Sequence, residues 1–150
     1  MTAFSDIFIG GSQVENRLQS LDYIYVPAPD FDAAVRFYTS TLGGVLRWRI
    51  HDHGVRVAAV RLGGKGPAVL LASHLAAHHT ILIYRVDDIE VVRQRLVNDG
   101  WTGVEEPFEI PQGPCLVFRD PGGQRLAIYE RRRPGIEESF EGRFDESSRE

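Results

Sequence analysis

The same local pattern occurs twice in this chain, offset by about 58 residues, and a repeat of that size means two similar units that bury their apolar faces together. The first copy opens Leu21-Asp22-Tyr23-Ile24-Tyr25-Val26-Pro27-Ala28-Pro29-Asp30-Phe31 and runs through a helical stretch to Gly43-Gly44. The second opens Thr80-Ile81-Leu82-Ile83-Tyr84-Arg85-Val86-Asp87-Asp88-Ile89 and runs through a helical stretch to Gly100. Each reads as a strand, an aspartate at the strand-to-helix junction, an amphipathic helix and then several short strands. Two such units packed together place any pocket in a cleft that both of them line.

Residues 21–28 are rich in β-branched and aromatic residues, and Pro27 and Pro29 suit the end of a strand because proline donates nothing to a ladder. Asp30 is placed to cap a helix whose apolar face is Phe31, Ala34, Val35, Tyr38 and Leu42, and Gly43-Gly44 ends it. Three strands are predicted next, over 45–50, 55–62 and 68–72, with turns at His51-Asp52-His53-Gly54 and Gly63-Gly64-Lys65-Gly66. In the second half a strand over 81–86 leads to Asp88 and a helix with Ile89, Val92 and Leu96 on its apolar face. Strands are predicted near 102–104, over 115–119 and over 125–129, the last two joined by Asp120-Pro121-Gly122-Gly123. The order is βαβββ twice, an α+β class. The predicted divisions are an N-terminal arm (1–20, with a short strand near Asp6-Ile7-Phe8-Ile9), a first module (21–73), a linker (74–79), a second module (80–130) and a charged C-terminal tail (131–150). The tail holds few large apolar residues, Ile136, Phe140 and Phe144, and is expected to be exposed or loosely docked.

The formal charge of −4 argues against nucleic acid as a partner. The single cysteine, Cys115, can form no disulfide within the chain and reads as a half-buried filler, since Pro114 and Leu116 beside it offer no activating base. That usage suits a reducing compartment. The N-terminus lacks the basic region and apolar core of a signal peptide, and no apolar run approaches the roughly 20 residues that span a bilayer. The expectation is a cytoplasmic protein without nucleic-acid or membrane partners.

Taken together, Leu21-Asp22-Tyr23-Ile24 leading to Asp30-Phe31, Ala34, Phe37-Tyr38 and Leu42-Gly43, then Tyr84-Arg85-Val86-Asp87-Asp88-Ile89, Gly100, Phe118-Arg119-Asp120-Pro121-Gly122-Gly123, Leu126 and Tyr129-Glu130, resemble the vicinal-oxygen-chelate superfamily. That superfamily includes glyoxalase I, extradiol dioxygenases and bleomycin-resistance proteins. The resemblance covers roughly residues 20–130 and implies paired βαβββ modules curled into an incomplete barrel, a cleft inside the curl, and a homodimer. It also implies, for metal-dependent members, ligands on the opening and closing strands of both modules. Carried across, those positions are Tyr23 and Ile81, with Leu70 (or a neighbour) and Ala127. A divalent ion with open positions needs about three N/O ligands, and leucine, isoleucine and alanine offer none. No metal and no cofactor are therefore expected, and the better analogues are members that bind ligands with aromatic and polar cleft walls.

Strand alternation puts Tyr23 with Tyr25, Ile81 with Ile83, and Ala127 with Tyr129 on shared faces, which could fill a closed core; the resemblance implies that these faces line the cleft, and with Trp48 these seven are then the expected ligand-binding residues. Arg47 and Arg49 flank Trp48 and are expected to face away from it. His51 and His53 read as turn residues, and His74, His78 and His79 as linker residues. Gly63-Gly64-Lys65-Gly66 lacks the ending and the helix of a phosphate loop. Arg131-Arg132-Arg133, followed by acidic residues, reads as a solvated segment. The expected function is metal-independent binding of a small, partly aromatic antibiotic or metabolite. The alternatives are a lyase, isomerase or dioxygenase with an atypical metal site using Tyr23 and linker histidines, a metal-free enzyme using Tyr23 or Glu130 as acid or base, and a partner module with a vestigial cleft.

Overall fold

The computed structural model describes residues 18–75 and 79–145. The expected strand near residues 6–9, His78 and the last five residues lie outside them. Eight strands form one curled, mixed sheet, an open half-barrel: β1 (Ser20–Pro27), β2 (Val45–Asp52), β3 (Val55–Arg61), β4 (Ala68–Ala72), β5 (Ile81–Val86), β6 (Phe108–Ile110), β7 (Gly113–Arg119) and β8 (Arg125–Glu130). Their order is β2-β3-β4-β1-β5-β8-β7-β6. Each half repeats the other about the antiparallel seam between β1 and β5, and each closes with a parallel pair, β1 with β4 and β5 with β8. The α+β reading and the twofold βαβββ plan hold.

One helix follows each opening strand: α1 (Phe31–Arg36), continued by a π-helical turn over Phe37–Thr41, and α2 (Ile89–Asn98). Both start on the aspartates that the sequence marked. The Asp30 side chain accepts from Ala33 N at 3.3 Å, and Asp88 from Glu90 N at 3.0 Å and Val91 N at 3.3 Å, which satisfies amides that a helix start leaves open. Gly43, at φ 77°, ends the first helical segment. Phe31 and Val35 of α1 pack on Ala58, Val60, Val69 and Leu71; Ile89 and Val92 of α2 pack on Val86, Leu116 and Ile128. The alternate residues of the same strands, Ala59, Leu70, Ile83, Cys115 and Ala127, form a third cluster on the other face. Period-two patterning thus gives the sheet a face covered by helices and a concave face that the helices leave open.

Three local readings change. β2 runs on to Asp52, so the first hairpin turns on His53 and Gly54 alone, both at positive φ (52° and 77°), the two-residue turn that matches strand twist. No strand forms over 102–104: Gly103 at φ 75° breaks the extension, Val104 packs into the cluster beneath α2, and the edge pairing with β7 is made by β6 instead. The charged tail is docked as far as Asp145. Its short helix α3 (Ile136–Phe140) leads to a segment that bonds the free edge of β2: Arg49 N donates to Arg143 O at 2.7 Å, and Asp145 N to Arg49 O at 2.9 Å. A five-residue helix has no stability of its own, so this docking is what holds it.

Candidate functional site

The concave face encloses a cavity of about 370 Å³. Tyr23 and Tyr25 from β1, Trp48 and Ile50 from β2, Leu70 from β4, Ile81 and Ile83 from β5, and Val117 and Ala127 from β7 and β8 line it. Register explains the convergence. Tyr25 lies between Leu70 and Ile81 on its two neighbouring strands, Tyr23 lies beside Ile83, and Ile83 lies beside Ala127. Six of the seven expected ligand-binding residues, Tyr23, Tyr25, Trp48, Ile81, Ile83 and Ala127, therefore share this cavity. Tyr129 does not line it. Its ring, tilted 47° against that of Tyr23 with centroids 5.8 Å apart, borders a second hollow beyond Tyr23 and Trp48.

Around Tyr23 the apolar wall gives way to three polar side chains, of which Tyr23 and Gln112 line the cavity and Glu137 lines the second hollow; Asp52 and Arg143 also line the cavity. The Tyr23 hydroxyl donates to Glu137 Oε1, and Gln112 Nε2 donates to the same oxygen at 2.8 Å while standing 3.4 Å from the phenol oxygen. Gln112 is buried, at the turn between β6 and β7, and its main-chain oxygen accepts from Arg132 N and Arg133 N, both at 3.0 Å. Glu137 comes from α3. Phe140, one turn on, sets its ring 5.1 Å from that of Trp48 and closes the cavity. The docked tail is therefore part of the wall. Glu137, Gln112 and Phe140 were not legible as site residues; the one signal was the spacing of Ile136 and Phe140, four apart in an otherwise charged run.

Two bulges break the alternation on which side-chain directions were assigned. In β1, Leu21 pairs with Tyr84 and Tyr23 with Ile83, which leaves Asp22 as the extra residue. Its carboxylate turns to the concave side and accepts from the Tyr129 hydroxyl and, at 2.6 Å, from Ser20 Oγ. In β2, Leu46 pairs with Val60 and Trp48 with Ala59, so Arg47 is the extra residue. Arg47 lines the second hollow alongside Trp48 rather than facing away from it.

Burial first, and then the hydrogen bond to Glu137, push the Tyr23 hydroxyl well above the ordinary phenol range. Burial and the bond to Asp22 do the same for Tyr129. Both phenols are hydrogen-bond donors at neutral pH. Burial pushes the Cys115 thiol, also in the cavity wall, up to about 12.

The residues at the superfamily's metal positions do not fit a divalent cation. Leu70, Ile81 and Ala127 bring hydrocarbon into the cavity, and the phenol of Tyr23 is held protonated against Glu137. Among the described residues, no group of three or more His, Cys, Asp or Glu side chains converges. His51 lies in β2 opposite Arg56, His53 sits on the hairpin tip with its side chain 91% exposed, and His74 meets the edge of Tyr25 at 6.0 Å. Also among the described residues, no helix is long and apolar enough to cross a membrane.

Residues 20–128 match the family described as Glyoxalase/Bleomycin resistance protein/Dioxygenase superfamily. Among solved structures, methylmalonyl-CoA epimerase from Mycobacterium tuberculosis resembles this chain at 18% identity and a TM-score of 0.60, over 78% of this chain and 91% of that one. A methylmalonyl-CoA epimerase in complex with methylmalonyl-CoA and NH4+ does so at 18% identity and a TM-score of 0.61, over 77% and 96%. A glyoxalase/bleomycin resistance protein/dioxygenase superfamily member from Vibrio splendidus 12B01 does so at 16% identity and a TM-score of 0.58, over 72% and 96%. At such identities the likeness is one of fold. No curated protein matches the chain.

Proposed function

The chain belongs to the glyoxalase/bleomycin resistance protein/dioxygenase superfamily, and from that premise we propose that it binds a small, partly aromatic molecule in its concave cavity without a metal. The observation that supports this reading is the makeup of the wall: hydrocarbon and aromatic rings stand at the positions where metal-dependent members hold ligands, and the polar side chains are few, Tyr23 and Gln112 side by side and Asp52 and Arg143 elsewhere on the rim. Binding draws on desolvation of the ligand's rings against Tyr25 and Trp48, with Tyr23, Gln112 and Glu137 fixing one polar atom. The test is calorimetric titration of the full chain with 2-naphthol. Tyr23→Ala is expected to weaken binding roughly tenfold, the effect of losing one buried contact with its hydrogen bond. Ala127→Trp, which fills the cavity, is expected to abolish it. Equal affinity for wild type and both variants, with folding intact by circular dichroism, sinks the reading.

A second reading is favoured by one feature, the Glu137 carboxylate against the Tyr23 phenol where the cavity meets the second hollow. A carboxylate base beside a protonated phenol suits metal-free proton transfer at a carbon acid. The neighbours that are methylmalonyl-CoA epimerases make methylmalonyl-CoA the compound to try. Under this reading its α-proton exchanges with solvent deuterium faster in the presence of the protein, and Glu137→Gln removes the acceleration. No acceleration by the wild-type chain discards it for this compound.

A further inference from the structure

Five strands of the concave face share one end. β1 and β4 begin there, and β3, β5 and β8 finish there, since Tyr23 lies beside Ala68 and Ile83, Val60 beside Val69, and Val86 beside Glu130. Alternation carries each inward row toward that end. Ala59 is followed inward by Arg61, Ile83 by Arg85, and Tyr129 by Arg131. The bulge in β2 adds Arg47. The four guanidiniums line the second hollow, of about 280 Å³, which shares Tyr23 and Trp48 with the apolar cavity.

Three carboxylates, those of Asp22, Glu137 and Glu141, face the same hollow, and each is already engaged. Asp22 accepts from Tyr129 and Ser20, and Glu137 from Tyr23 and Gln112. Glu141 takes Arg47, at 3.0 Å and 3.2 Å. Among the described residues, Arg61 and Arg131 have no such partner, and Arg85 has only a long ion pair with Asp22 and no hydrogen bond to it. Arg61 donates to the Gly66 carbonyl at 2.7 Å and Arg131 to the Pro134 carbonyl at 3.2 Å, neutral acceptors that take one N–H apiece. Arg85 Nε is shut off from solvent without a hydrogen bond among the described residues, and stands 3.9 Å from Asp22. A guanidinium carries five N–H donors, so three cations with most of their donors unspent converge beside a cavity whose wall is mostly hydrocarbon.

We propose that this hollow is an oxyanion subsite, which takes the carboxylate or phosphate of a ligand whose apolar body lies in the adjoining cavity. The place of the apolar body rests on the small-molecule reading above; the anion subsite stands on the arginines alone. Forked, charge-assisted hydrogen bonds from Arg61, Arg85 and Arg131 supply the attraction, and hydrocarbon next door keeps water from competing.

The experiment has two independent arms on the full chain. In the first, inorganic phosphate is titrated alone, against chloride at equal ionic strength, and the midpoint of thermal unfolding is followed. Phosphate is expected to raise it for wild type and for Arg95→Gln, a control that removes a charge from α2, but not for Arg131→Gln or Arg61→Gln/Arg131→Gln. In the second, 2-naphthol, 2-naphthoate and 2-naphthyl phosphate are compared by calorimetry. One or both anions are expected to bind roughly tenfold tighter than the alcohol, the scale of one charge-assisted bond, and the arginine variants to erase that preference while leaving the alcohol's affinity unchanged. Whichever anion gains more identifies the group the subsite serves. A phosphate response equal in wild type and the arginine variants overturns the subsite, whatever the naphthalenes do. Failure of all three naphthalenes to bind, with the phosphate response present, sinks the cavity reading and leaves the subsite standing.

Discussion

Gly113 stands where the turn between β6 and β7 meets the chain leaving β8. A Cβ added there would lie 2.1 Å from the Glu130 carbonyl oxygen and 3.2 Å from Arg132 N, and the residue's φ is 154°. Main-chain atoms cannot give way as a side-chain tip can. Gly113→Ala is therefore expected to destabilise the fold by about 3 kcal/mol, in the range of severe backbone strain, read as a fall in the denaturant midpoint at unchanged slope. Because Arg132 N and Arg133 N both bond Gln112 O, the same substitution moves Gln112 and loosens its hold on Glu137. An unchanged midpoint shows that the crossing is not constrained as described. Asp22 makes a related point. A single extra residue in β1 turns a carboxylate that alternation alone sends to the outer face into the acceptor for Tyr129.

At the scale of elements, the C-terminal segment behaves as a strap. α3 is too short to persist alone, and its anchors are Phe140 on Trp48, Glu137 on Tyr23 and Gln112, and the main-chain bonds of residues 142–145 to β2. Removing residues 134–150 is expected to leave the sheet and both long helices intact. It uncovers the Trp48 side of the cavity, seen as a red shift of tryptophan emission and increased fluorescence of an anilinonaphthalene dye. Unchanged spectra are the contrary result. Acid is expected to release the same segment. Asp145 is held at about 2, below its ordinary 3.8, first by its bonds to Arg143 and then by the His51 amide. A carboxyl with a depressed folded value stabilises docking above pH 3.8, and that contribution is lost as pH falls toward the folded value. The spectral changes of the truncation should thus appear in the full chain on titration through that window.

At the scale of the whole molecule, the seam between β1 and β5 and the inner cluster that spans it bind the halves into one cooperative unit. Unfolding followed by tryptophan emission and by far-ultraviolet circular dichroism is expected to give coincident curves. The pH dependence at the alkaline end follows from Tyr23 and Tyr129. Both phenols hold their protons in the folded chain above the ordinary value of 10.0, so the unfolded chain releases protons first. Their contribution is complete below pH 10.0 and is lost as pH rises above it. Stability should fall progressively there, less steeply for Tyr129→Phe; a flat profile contradicts the burial of both rings.

The sequence by itself determined the twofold βαβββ plan, the helix starts at Asp30 and Asp88, and the pairing of Tyr23 with Tyr25 and of Ile81 with Ile83 on one face of a strand. These depend on local propensity and on a period of two or 3.6, which a chain displays in one dimension. That this face, with Trp48 and Ala127, is the concave one was implied by the family resemblance. Tertiary structure alone decided that Phe140 completes the cavity, that Glu137 and the buried Gln112 meet Tyr23, and that Arg47, Arg61, Arg85 and Arg131 converge. Contacts across 25 to 114 positions leave no local mark on composition. A bulge changes side-chain direction without changing the pattern of residue types. The meeting of Arg61, Arg85 and Arg131 exists only once register has brought the ends of three separate strands to one end of the barrel.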